Sequence, residues 1–390
     1  MSTPLVKGWC PGALRPMLSG DGLLVRVRPP IGQLTQAQAD GLARLAAQYG
    51  NGQIDLSARA NIQIRGVTDQ TYAPLVTGLA SLGLIDATPE AEARRNIVVT
   101  PFWQSSDGTA ELAERLGSAL RDDRTLALPG KFGFAIDTGA TPVLRDVSAD
   151  IRIERDATGA LLCRADSAAS GARVTSDTAV DTALSLARWF ISSGGRKRMA
   201  VHLADGATLP SAFTAIEAAP MTDMSPPVPG QSTAGFMIGF AFGQLQARTL
   251  SALADIAPLR VTPWRMLVLE GQTGAPDIKG IITHADDPML RVIACPGLPG
   301  CTQALQPTRP LARALAPHVP VDKMLHVSGC AKGCAQPGPT SLTLVAQAHG
   351  FGLVRDGNAA FPPPHPPLLT VEQLLANPGT LMENPNALPV

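Results

Sequence analysis

Four of the six cysteines sit in two short glycine-rich loops, ACPGLPGC with Cys295 and Cys301, and SGCAKGC with Cys330 and Cys334. The spacing is C-x5-C, a long gap, then C-x3-C. Thiolates are soft donors, and four of them on two loops select zinc or an iron–sulfur centre. Structural zinc pairs are usually two to four residues apart, so the wide first pair favours iron–sulfur. Gly297, Gly300, Gly329 and Gly333 let the backbone approach a bulky inorganic group and offer N–H donors to its sulfurs. Disulfides would require an oxidising compartment, and the opening MSTPLVKGWCPG lacks a basic-then-apolar signal. Cys163 stands alone in a strand-like run and reads as core. Cys10 suggests no role.

A second chemistry lies in GQIDLSARANIQIRGV, residues 52–67. Ile54, Leu56, Ala58, Ala60, Ile62 and Ile64 alternate with Asp55, Ser57, Arg59, Asn61, Gln63 and Arg65. A period of two predicts one strand with every polar group on one face. A solvated face is the ordinary reading. Yet Arg59, Asn61, Gln63 and Arg65 also form a row of donors suited to the carboxylates of a planar ligand. Arg95-Asn96 and Lys131, in LALPGKFGFAID, are further candidates. The basic turn Gly194–Arg198 reads as a solvated loop, with a phosphate or nicotinamide contact left open. The six histidines show no metal-ligand spacing. His326, four residues before Cys330, reads as a satisfied loop histidine, with work near a metal centre as the alternative.

The elements that must position these groups are short. Glycine (37) and proline (35) are abundant enough to break the 390 residues into many turns. Thr35 and Gln38 make a capping box, and Gly50 ends the helix that it opens. Leu24–Arg28 alternates as a strand, with Val25 and Val27 inward. Residues 178–194 and 303–316 are expected as helices, and ADIRIE, GALLCRA and RMAVHL as strand-like pieces. GQLTQAQADGLARLA at 32–46 returns as GQLQARTLSALADIA at 243–257, and IQIRGV at 62–67 as MLVLEG at 266–271. This is a two-copy repeat. TPWR, residues 262–265, replaces SAR in the second copy, so one polar row and one ligand site are expected. Formal charge is zero, which gives no field for nucleic acid or a membrane surface. No apolar run reaches the ~20 residues of a membrane span, and the cytoplasm is the expected compartment.

C-P-x4-C followed by G-C-x3-C resembles the cluster motif of the nitrite and sulfite reductase superfamily. There, four cysteines hold a 4Fe-4S cluster, and the last, Cys334 by position, bridges to the iron of sirohaem. Arg59 matches the superfamily's sirohaem-contacting arginine. Arg95-Asn96 matches the pair opening its first large domain. Lys131-Phe132-Gly133 stands where the reductases carry Lys-Phe-Lys, so one lysine is missing. Ala331-Lys332 also departs from their Pro-Asn.

The run HVSGCAKGCAQP instead resembles one branch, the precorrin-3B synthases of aerobic cobalamin synthesis. The resemblance implies an α+β fold of two ferredoxin-like half-domains in a pseudo-two-fold unit, plus two larger α/β domains. The expected boundaries are 1–85 and 225–285 for the half-domains, 86–224 for the first large domain and 286–390 for the cluster domain. It implies O2-dependent hydroxylation and lactone formation on the tetrapyrrole precorrin-3A, with electrons from NADH, a reductase or ferredoxin. A 4Fe-4S cluster and a non-haem iron come with it. Arg59, Asn61, Gln63 and Arg65 would hold the tetrapyrrole carboxylates. Arg95 and Lys131 would lie over the reacting face as catalytic groups. A sirohaem nitrite or sulfite reductase is the alternative. A non-catalytic electron carrier is a third reading, but it needs no row of carboxylate donors.

Overall fold

A computed structural model describes residues 11–219, 226–360 and 368–382; Cys10 and the expected boundary at 224/225 lie outside the described residues. The chain opens with β1 (Met17–Ser19), β2 (Gly22–Val27), β3 (Gln33–Leu34), α1 (Gln36–Tyr49), β4 (Gln53–Leu56), β5 (Ile62–Val67) and α2 (Asp69–Ser81). Helix α1 has the expected capping box at Thr35 and Gln38, and buries Ala39, Leu42, Ala43 and Ala46. Residues 53–67 are a hairpin, not the single strand expected. Ser57 Oγ accepts the Arg59 and Asn61 N–H groups, and Ala60 takes φ 51, so the chain reverses there. The register pairs Ile54 with Ile64, Asp55 with Gln63 and Leu56 with Ile62. Residues of equal parity face each other, so the alternation runs unbroken round the turn and imitates one long strand.

The second unit holds α3 (Pro89–Arg94), β6 (Ile97–Val99), α4 (Thr109–Asp122), β7 (Phe134–Asp137), β8 (Ile151–Arg155), β9 (Leu161–Ala165), β10 (Ser170–Arg173), α5 (Ala179–Ser192), α6 (Met199–Ala204) and β11 (Ile216–Glu217). Its sheet runs β11-β10-β9-β8-β7-β6. Leu112, Leu116, Leu120, Leu186 and Phe190 from α4 and α5 cover one face, with Cys163 in the same core. RMAVHL forms helix α6 rather than a strand. The Met199 N–H donates to the buried carboxylate of Asp150, which supplies the cap that the sequence pattern hides.

The repeat returns with β12 (Gly230–Ser232), β13 (Gly235–Gly239), β14 (Gln244–Gln246), α7 (Ala247–Ala254), β15 (Leu259–Val261) and β16 (Met266–Glu270). The two copies exchange strands. Their sheets run β1-β2-β5-β4-β14 and β12-β13-β16-β15-β3, so each copy lends its short strand to the other. The copies agree down to single backbone angles: Ile31 and Phe242 have φ 49 and 61, and Ala60 and Arg265 have φ 51 and 60. Both share one core, in which Leu42, Ile54 and Ile64 meet Leu250, Leu253 and Leu267.

The last unit contains β17 (Val292–Ala294), α8 (Arg309–Leu315), β18 (Leu325–Ser328), β19 (Thr340–Gln347), β20 (Gly350–Gly357), β21 (Leu368–Leu369) and α9 (Val371–Ala376). Helix α8 starts six residues later than expected. Pro307 disfavours helical backbone at Gln306, and Pro310 is tolerated only in the first turn. Strands β17, β18 and β19 are parallel neighbours. No helix among the described residues is long and apolar enough to cross a membrane.

Candidate active site

Cys295 directly follows β17, and Gly329-Cys330 directly follows β18. Because these strands are parallel neighbours, their carboxyl ends lie side by side and the two cysteine loops meet. This is where ligands bind in sheets of this kind. The Gly329 N–H donates to Cys295 Sγ at 3.1 Å, and Thr308 Oγ1 donates to the Cys295 carbonyl at 2.6 Å. A Cβ on Gly329 would lie 2.8 Å from the Ala304 methyl and 3.3 Å from Cys295 Sγ, so only glycine fits there. Burial pushes the thiols of Cys330 and Cys334 up, and the neighbouring Cys295 and Cys301 push in the same direction. Lys332, between the two, opposes both shifts. Four thiols on two facing loops, with a backbone N–H aimed at the Cys295 sulfur, are a donor set that fits a bulky iron–sulfur centre.

Cations from three units press on these loops. Arg65 is 3% exposed and fully engaged. Its Nε and Nη2 donate to the Asp21 carboxylate at 2.9 and 2.6 Å, and Nη2 also reaches Ser19 Oγ and the Gly300 carbonyl. Asp55 lies between Arg65 and Arg309, at 3.5 and 3.6 Å. Burial pushes the Asp55 carboxyl up, while Arg309 and Arg65 oppose that. Arg265, at the hairpin corner of the second copy, donates to the Ala335 carbonyl at 2.7 Å, just past Cys334.

The matching corner of the first copy turns to the other large unit. Arg59 donates to the Lys131 carbonyl and to Ser148 Oγ, each at 3.3 Å. Arg198 donates to the same two acceptors, at 3.3 and 2.8 Å, and is held by Asp150 at 2.8 Å. The exposed Lys131 completes a cationic rim. Gln63 accepts from Arg26 at 2.9 Å, and Asn61 is buried at the corner. Arg95 is apart from this rim: its guanidinium is buried against both oxygens of Asp86 and the Arg28 carbonyl. Gly133 is sealed by its partner, since a Cβ there would lie 2.6 Å from Asn96 Nδ2.

A precorrin-3B synthase from a Sinorhizobium species is 30% identical to this chain over 413 aligned positions, covering 90% of the chain and 83% of the relative. The chain belongs to the precorrin-3B synthase family. Residues 15–82 match the family described as the nitrite/sulfite reductase ferredoxin-like half domain. A ferredoxin–nitrite reductase from Synechococcus elongatus is 32% identical over 137 residues, which cover 32% of this chain and 26% of that protein. The solved structure of the Mycobacterium tuberculosis NirA protein superposes with a TM-score of 0.62, covering 91% of this chain and 79% of that one. At 18% identity that likeness concerns the fold, which is nitrite/sulfite reductase-like.

Within the precorrin-3B synthase fold of this chain, several site groups escaped the sequence reading. Arg198 sits in a turn that reads as solvated from sequence, yet it converges with Arg59 on the Lys131 carbonyl and Ser148 Oγ. Arg309 carried no motif, and Arg265 closes the TPWR segment, which reads from sequence only as the second copy's loss of the polar row. His326 was taken for a satisfied loop histidine. It lies instead inside β18, fully buried, and neither ring nitrogen has a hydrogen-bond partner among the described residues.

Proposed function

We propose that this chain is an oxidoreductase that hydroxylates precorrin-3A with dioxygen and permits lactone closure by a neighbouring acetate. One oxygen atom enters the macrocycle and the other leaves as water, which requires two electrons from NADH or another reductant and two protons, at least one of them from solvent. Arg59 and Arg198 take ring carboxylates on the rim, with Asn61 and Gln63 flanking them. Lys131 orients a carboxylate or polarises oxygen above the ring. Arg65 and Arg95, already occupied by Asp21 and Asp86, brace the site from behind. Cys295, Cys301, Cys330 and Cys334 hold a 4Fe-4S cluster. When bound, that cluster supplies electrons one at a time. Among the described residues no three His, Cys, Asp or Glu side chains converge on a single ion. The described residues thus offer no ready ligand set for a non-haem iron.

Gly133 carries this reading over a sirohaem reductase. A second lysine in that place would drive its Cβ into Asn96, which is itself bound to the Phe132 carbonyl at 2.8 Å. One ammonium is poorly suited to neutralising an oxyanion and relaying the several protons its reduction consumes. Hydroxylation asks less, because the substrate holds its own acetate beside the reacting carbon. The test supplies precorrin-3A, a reductant and labelled dioxygen, and expects one labelled oxygen in the product. Protein that is inert there, shows sirohaem bands and reduces nitrite or sulfite would establish the reductase instead.

A further inference from the structure

His326 has no task in the mechanism above. It is the second residue of β18, a strand flanked on both sides, with Ile293 and Thr343 as its register partners. Other polar side chains around it are satisfied locally. Ser328 Oγ donates to the Cys330 carbonyl, and Thr343 Oγ1 to the Gly357 carbonyl. His326 is 0% exposed, yet Nδ1 and Nε2 both lack a partner among the described residues. A buried donor left unpaired costs about 1–3 kcal/mol, so such a group points to something that binds there.

The ring lies beneath the second cysteine loop. Gly333, between Cys330 and Cys334, has φ 60, and a Cβ there would come within 3.9 Å of His326 Cε1. Burial and the Arg265 guanidinium push the imidazole pKa down to about 4, so the ring is neutral with one N–H to give. Arg265 itself is tied to the Ala335 carbonyl on the same loop.

We propose that His326 is a positioning residue whose ring N–H hydrogen-bonds the iron–sulfur centre held by the cysteine loops and raises its reduction potential. This rests on the cluster reading above. The reduced centre carries one more negative charge than the oxidised one, so an N–H donor stabilises the reduced state more. The donor comes from the sheet floor, whereas Arg65 and Arg265 act on backbone carbonyls of the loops.

The experiment is an EPR-monitored redox titration of anaerobically purified, full-length holoprotein, alongside His326→Leu and His326→Gln. Iron and sulfide per chain should stay at the parent's level in both variants. The Leu variant should shift the reduction equilibrium at least tenfold toward the oxidised state, about 59 mV for one electron. Gln, which keeps an N–H donor, should recover part of it. A Leu potential equal to the parent's would overturn the proposal. So would loss of iron from a folded variant, which would make His326 a ligand. Pulsed EPR on reduced parent protein carrying 15N-histidine needs no variant. It should show one weak nitrogen coupling; no coupling, or the strong coupling of a bound nitrogen, also overturns it. Parent protein without iron and sulfide removes the cluster reading and this proposal together, whereas an unshifted potential removes only the role of His326.

Discussion

Arg65 Nη2 and the Gly300 carbonyl, 235 residues apart in the chain, lie 3.0 Å from each other. A single buried guanidinium therefore joins the first half-domain to the loop between Cys295 and Cys301. Asp21 and Asp55 hold that guanidinium in place. Arg65→Met should destabilise the fold by about 3 kcal/mol, the low end of the range for a broken buried pair, because Asp55 keeps Arg309 and Asp21 is only half-buried. Iron should also leave faster under chelator. Denaturant midpoints and timed chelation would check both.

Each of Cys295→Ala, Cys301→Ala, Cys330→Ala and Cys334→Ala should lower iron content, whereas Cys163→Ser should not. Cys163 is fully buried in the core of the other large unit, and burial pushes its thiol up to about 12. Iron and sulfide analysis of anaerobically purified variants decides this. Equal iron in all five would remove the cysteine loops from the argument.

Arg59 and Arg198 share two acceptors, so their effects should not add. Arg59→Ala should weaken tetrapyrrole binding by roughly 1.5–3 kcal/mol, the range for hydrogen bonds to charged groups. The double variant should lose measurably less or more than the two single losses combined. Titration of the four proteins with the macrocycle closes the cycle. Strict additivity would mean that the two arginines act apart.

Gly133→Ala should cost about 1–3 kcal/mol through overpacking against Asn96. Gly133→Lys should suffer at least as much and gain no nitrite or sulfite reduction. A folded Lys variant with reductase activity would show that the second ammonium is what this chain lacks.

Asp137 sets a pH dependence. Its Oδ2 accepts the Val143 and Leu144 N–H groups, but Oδ1 is buried without a partner among the described residues. Burial raises its pKa from 3.8 to about 6. The folded state therefore binds the proton more tightly than the unfolded chain. Its stabilising contribution is full below pH ~4 and is lost as pH rises through ~6, up to roughly 3 kcal/mol. Asp137→Asn should remove that slope. Comparing urea midpoints of the two proteins at pH 4.5 and 7.5 measures it.

What the sequence made legible was local. The α1 capping box needs only Thr35 and Gln38, three residues apart, and the cysteine loops announce themselves by composition. The hairpin at 53–67 was misread because a same-parity register keeps the alternation intact through the turn. Helix α6 was misread because its cap, Asp150, comes from a distant loop. Arg198 and His326 were undervalued for a related reason. Their meaning lies in what surrounds them, Arg59 across a domain boundary for one and an empty ring of partners for the other. Neither relation has a spacing that a linear reading can detect.

The strand exchange between the two copies sets a timetable for synthesis. Strand β4 (Gln53–Leu56) leaves the ribosome early, but its partner β14 (Gln244–Gln246) follows only after roughly 190 further residues. At translation rates of about 5–20 residues per second, the first half-domain waits on the order of 10–40 s with one sheet edge bare. Bare edges recruit other strands. The nascent chain is thus most prone to mispairing until nearly two-thirds of it has been made, and holding factors that shield extended segments would matter most in that interval.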